Sequence, residues 1–216
     1  FELDRTFRFQ ASNAAIGLTI FSIGLFKKVA LADSLAPYNT ALFAAAEASA
    51  DLTFCEAWGA ALGYSLQLYF DFSGYCEMAI GLARLFGIVF PLNFYSPYRA
   101  TSIIDFWRRW HMTLSQFLRD YLYFPLGGNR KGQARRYANL MITMALGGLW
   151  HGAGWTFVLW GILHGCFLAI NHLWRQFLDI SGFKVGPCRF WRLGSWVLTF
   201  FCIVVGWVIF RAETLA

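Results

Sequence analysis

The stretch Ala145-Leu146-Gly147-Gly148-Leu149-Trp150-His151-Gly152-Ala153-Gly154-Trp155 sets a titratable imidazole inside an apolar run punctuated by glycines. Apolar segments flank it at about 137–150 and 153–171, and both read as membrane-crossing helices joined at the histidine. An ionisable ring at membrane depth is costly to desolvate and is read by default as functional. The neighbouring glycines carry no side chains, so the expectation is that a non-protein group can approach the ring.

Composition agrees with a membrane setting. The 216 residues are 58% hydrophobic, 19% aromatic and 14% charged. A soluble domain carries about 25% charged and 45–50% apolar residues. The net charge of +6 reads as loop bias at a membrane face. No basic stretch alternates with exposed aromatics in a polar context, so nucleic acid is not expected as a partner. The five cysteines, Cys55, Cys76, Cys166, Cys188 and Cys202, form no C-x-x-C pair and read as small buried hydrophobes with free thiols. The chain opens Phe1-Glu2-Leu3-Asp4 without a signal peptide and closes on Thr214-Leu215-Ala216. It reads as one membrane domain, 1–216, of a longer protein.

Working outward, a first span is expected at about 11–31, with Lys27 and Lys28 snorkelling to headgroups near its end. Further spans are expected at 53–70 and 74–90, separated around Asp71-Phe72-Ser73-Gly74. Glu77 and Arg84 lie seven apart on one face, which should look inward. Asp71 is read as a cap of the following helix, with an ion pair to Arg84 as the alternative. A last span is expected at 194–210, after a polar loop at 179–192 that contains Gly182, Lys184, Gly186 and Pro187.

Residues 91–136 differ, with eight basic side chains against Asp105 and Asp120. Positions 107, 110, 114, 117, 118 and 121 repeat at helical spacing and predict one amphipathic helix, interfacial or re-entrant. Pro125-Leu126-Gly127-Gly128-Asn129-Arg130 ends it. The loop Asn129–Arg136 is the strongest cytoplasmic signal. The overall class expected is all-α and polytopic.

Four histidines are candidates for chemistry: His111, His151, His164 and His172. None falls in an H-E-x-x-H or H-x-x-x-H pattern, so no metal site is expected. His164 and His172 share a helix face and read as packed or interfacial. For His111, structural and functional readings stand level. Neither Gly-x-Ser-x-Gly nor a phosphate-binding G-K-[ST] loop is present.

Several ordered motifs together resemble the membrane-bound O-acyltransferase (MBOAT) family, and within it the bacterial alginate O-acetyltransferase branch. They are Leu68-Tyr69-Phe70-Asp71-Phe72-Ser73-Gly74-Tyr75, Pro91 to Arg99, Asp105 to Ser115, Phe117 to Tyr123, Pro125 to Arg130, Leu149-Trp150-His151-Gly152, and Gly206 to Arg211. Cys76-Glu77 and Gln116 depart from the branch's usual Ser-Asp and Arg.

The resemblance implies an MBOAT-like helical bundle with re-entrant or interfacial helices in a bacterial inner membrane. It implies that further membrane helices precede Phe1 and that chain continues after Ala216. It makes His151 the catalytic residue and His111 a second group lining the site. It also implies acetyl-CoA as acyl donor, with no tightly bound cofactor. The acetyl group would pass outward to a periplasmic acetyltransferase partner serving polysaccharide export machinery, for alginate or another glycan. Arg130, Lys131, Arg135 and Arg136 read first as a topogenic positive-inside loop, and are also the candidates to hold the donor's phosphates. Two rivals stand beside this reading: D-alanyl transfer to an envelope polymer, and a transporter or channel whose polar groups line a path.

Overall fold

A computed structural model describes residues 10–182 and 188–214, which are helical with connecting turns and contain no strand. Lys184, Gly186 and Pro187 of the expected polar loop lie outside the described residues. The chain divides into two compact units at Asn93/Phe94.

In the first unit, α1 (Ala11–Phe26) passes through a π-helical stretch, Lys27–Ala32, into α2 (Asp33–Glu47). This 37-residue run is long and apolar enough to cross a membrane. Burial runs opposite to that of a soluble helix. Gly17 and Gly24 are buried, while Ile16, Leu18 and Ile23 are exposed. The reason is backbone contact. A Cβ on Gly24 would meet the Gly74 carbonyl at 2.6 Å, and one on Gly17 the Gly81 carbonyl at 2.7 Å. Two glycine pairs, each seven residues apart, thus let α1 lie directly on α3 (Phe54–Leu85). In lipid, such close van der Waals approach replaces the hydrophobic drive.

The helix α3 corrects two expectations. Residues 53–70 and 74–90 do not form two spans; they belong mainly to a single 32-residue helix, roughly 48 Å long at 1.5 Å per residue. A capping box between Thr53 and Glu56 starts it. Asp71 neither caps a helix nor pairs with Arg84. It sits mid-helix and pairs with Lys28 at 2.6 Å. Lys28 also bonds Asp33 at 2.7 Å, and Lys27 pairs with Glu77. The two lysines therefore do not snorkel freely. The π-helical stretch presents them to the carboxylates of α3 beside the Gly24/Gly74 contact.

In the second unit, α6 (Gly132–His151) and α7 (Trp155–Ser181) are antiparallel neighbours, followed by α8 (Arg189–Arg211). Helices α7 and α8 also meet the length and composition of a span. Gly148 of α6 abuts the Phe157 carbonyl, and Gly161 of α7 abuts the Met144 carbonyl, so this crossing too is backbone on backbone. The core is aromatic: Phe106, Trp110, Trp160 and Trp207 are all buried.

The predicted amphipathic helix is not continuous. It comprises α4 (Ile103–Trp107), a turn, α5 (Met112–Leu118) and a π-helical stretch, Arg119–Tyr123. The break falls at His111, whose φ of 42° and ψ of 57° are left-handed. Restarting the helix there changes its phase. Trp110 and Leu118 are buried whereas Phe117 and Tyr121 are exposed, so the predicted stripe does not share one face. The loop after it curls through left-handed Gly127 and Gly128 and is held to α6 by the Asn139 amide donating to the Gly128 carbonyl at 3.0 Å. Cys55, Cys166 and Cys188 are exposed rather than buried, and all five thiols are free.

Candidate functional site

His151 is the last residue of α6. The chain then runs extended through Gly152 and enters α7 at Trp155. This placement brings the imidazole against rings from two further helices. Its centroid is 5.3 Å from Trp160 of α7 and 5.1 Å from Phe210 of α8, both edge-on. Phe157 lies 6.4 Å away. The ring is half-buried, with walls that are aromatic.

Most of the glycines around His151 are occupied by protein contacts. Gly148 and Gly161 form the helix crossing described above. Gly152 faces the Phe157 ring, with a Cβ expected at 2.7 Å from Cε2, and Gly147 faces Leu118. Their absent side chains let protein pack, whereas Gly154 meets Thr156 and Phe157 only at ordinary contact distance.

His111 stands close by. Trp150 lies 5.0 Å from His151 and 6.4 Å from His111, so the two imidazoles flank one indole. A left-handed non-glycine residue costs of order 1–3 kcal/mol and persists only where surrounding contacts hold it. Here Phe94 and Trp150 pack against the His111 ring. Burial first, and the His151 ring second, push the His111 imidazole from 6.5 down to about 4. At neutral pH it is a neutral group with one donor and one acceptor nitrogen.

The four candidate donor-binding cations separate. Arg130, Lys131 and Arg135 are exposed, before and within the first turn of α6. Arg136 is partly buried and meets His172 Nδ1 at 2.9 Å. It lines a cavity of about 320 Å³ with Arg119, Asn129, Trp107, Leu140 and Met144. Arg119, which the sequence reading did not assign to a site, is thereby a fifth candidate. It also bonds Asp120 at 2.7 Å. From Arg136 to His151 is fifteen residues of α6, about 22 Å at 1.5 Å per residue.

Two further groups were not legible as parts of a site. Trp160 and His164 lie four apart on one face of α7, a spacing that signals packing without saying against what. His164 is fully buried. Among the described residues, no group of three or more His, Cys, Asp or Glu side chains is arranged to hold a metal ion.

Comparison with known proteins supplies the chemical context. Residues 1–212 match the membrane-bound O-acyltransferase family, MBOAT. The chain is 50% identical over 205 residues to a peptidoglycan O-acetyltransferase of Helicobacter pylori, covering 94% of this chain and 37% of that protein. It is 52% identical over 201 residues to a probable alginate O-acetylase AlgI of Azotobacter vinelandii, covering 93% and 38%. A teichoic acid D-alanyltransferase of Bacillus subtilis is 31% identical over 159 residues, covering 70% and 40%. The chain thus spans about two-fifths of the length of these relatives.

Proposed function

The chain belongs to the membrane-bound O-acyltransferase family, and from that premise we propose that it carries the acyl-transfer centre of an O-acetyltransferase acting on an exported polysaccharide. The observation that carries this reading is the half-buried His151, set among aromatic rings with His111 across Trp150.

In the proposed reaction, the neutral His151 imidazole accepts the proton of an acceptor hydroxyl as its oxygen attacks the carbonyl carbon of an acetyl thioester. The tetrahedral intermediate then expels the thiolate, which recovers that proton from His151. A general base of this kind contributes about 10²–10⁴-fold to the rate. The neutral N–H of His111 donates to the developing oxyanion or orients the acyl group.

The donor proposed is acetyl-CoA. The cations at the start of α6 and the histidine at its end are separated by the length of the helix. A donor bound at both must be extended, and the pantetheine arm has that form. Arg136 and Arg119 bracket the cavity that suits its anionic end, and Arg130, Lys131 and Arg135 extend the positive field toward solvent.

The acceptor class comes from the relatives, whose names specify alginate and peptidoglycan. We place the protein in a bacterial inner membrane, passing acetyl groups to a periplasmic acetyltransferase partner. The lower identity to D-alanyltransferases makes acetyl the favoured acyl group.

The test is His151→Ala in the intact protein. Polymer acetylation should vanish at unchanged expression; full acetylation by that variant would sink the proposal.

A further inference from the structure

The rings behind His151 contain a polar cluster that the proposed chemistry does not use. His164 has no accessible surface, and neither ring nitrogen has a protein hydrogen-bond partner among the described residues. The same holds for Nε1 of Trp107, Trp160 and Trp207. All three indoles surround His164, with centroids at 5.4, 4.8 and 6.2 Å. Four orphaned rings are therefore one feature, contributed by α4, α7 and α8.

A buried polar group without a partner is destabilising, and native interiors rarely leave several together. Each indole offers one donor and no acceptor, and a neutral imidazole offers one of each. The cluster thus holds four N–H donors and one lone pair. Edge-on N–H contacts to ring faces relieve this only weakly. A water oxygen, with free lone pairs and two O–H donors, would satisfy such nitrogens. Gly206 lets the His164 ring lie against α8, since a Cβ there would stand 2.6 Å from Nε2.

The cluster is continuous with the proposed base. Trp160 packs on His164 on one side and on the His151 ring, 88° edge-on, on the other. Trp207 stacks on Trp160 at an interplanar angle of 18°. A shift of Trp160 would move the wall that orients His151.

We propose that His164, with the indole nitrogens of Trp107, Trp160 and Trp207, binds a buried water molecule, and that His164 thereby acts as a positioning residue for His151 through Trp160. His164 touches neither donor nor acceptor. The role rests on the acyl-transfer reading for its catalytic consequence, and on the ring geometry alone for its structural one.

The experiment compares the intact protein in lipid nanodiscs with His164→Phe, which keeps a ring but removes both nitrogens, and His164→Gln, which restores a donor and an acceptor. A residue that merely packs would tolerate Phe, because an apolar ring removes an orphaned polar group. A positioning residue would not. The expected result is a kcat for His164→Phe lower by about 10- to 100-fold, with KM and melting temperature held and partial recovery in His164→Gln.

The ¹⁵N resonances of the His151 imidazole supply a second readout. They should show one ring state in the unaltered protein and a broadened or doubled set in His164→Phe. Unchanged kcat and unchanged His151 resonances in His164→Phe would overturn the proposal. So would a fall in activity that tracks a fall in melting temperature and is not relieved by Gln. If the unaltered protein transfers no acetyl group, the acyl-transfer reading fails by itself, and the resonances still decide whether His164 positions His151.

Discussion

At the residue scale, His111 gives the sharpest pH expectation. Its folded value of about 4 lies below the 6.5 of a free imidazole. Between those values the unfolded chain binds the proton and the folded chain does not. Stability from this group is therefore complete above pH 6.5 and declines as pH falls toward 4. His111→Gln cannot titrate there, so lowering the pH from 7 to 5 should reduce its melting temperature less than that of the unaltered protein. Equal declines would show that the His111 ring is solvated. The candidacy of His151 was legible from the cost of an imidazole in an apolar stretch. Its neighbours were not, because Trp160 and Phe210 reach it across chain separations of 9 and 59 residues that no local pattern encodes.

At the element scale, glycine spacing and charge act together on α1 and α3. The seven-residue glycine pairs bring the backbones into contact, and that contact holds Lys27 against Glu77 and Lys28 against Asp71. Removing one member of a buried pair leaves an uncompensated charge, worth about 3–5 kcal/mol when fully buried. Lys27 and Glu77 retain partial exposure, so Lys27→Met should cost less, on the order of 2 kcal/mol in thermal unfolding. Adding Glu77→Gln should recover most of that loss. Additive losses in the double variant would show that the two residues do not interact. From sequence, Asp71 looked like a break between two spans, since a carboxylate in an apolar run suggests an end. The structure keeps the helix intact because Lys28 neutralises that carboxylate from a different helix. The same limit explains the amphipathic stripe at 107–121, where a single left-handed residue, His111, resets the helical phase.

At the scale of the whole molecule, the second unit sets its candidate cations and its candidate base at opposite ends of one helix. Cations gather where α6 begins, and His151 stands where it ends. If the Lys/Arg bias sets orientation, the first end is cytoplasmic. A cysteine introduced at Lys131, with the five native thiols replaced, should react with a membrane-impermeant maleimide only when the cytoplasmic face is open to it. Labelling from the outside would reverse the topology and remove the proposed route for acetyl-CoA.

The sequence by itself determined the all-helical membrane class and the family, because composition, apolar run length and short ordered motifs are local properties. Only the tertiary structure decided which helices are continuous, which carboxylate each lysine meets and what the glycines do. Backbone contact and charge pairing are made between segments distant in the chain, and a side chain's cost or use depends on what that contact brings to it. The glycines beside His151 show the difference: read along the chain they suggest access, and in three dimensions Gly148 closes α6 onto α7 while Gly152 lets Phe157 approach.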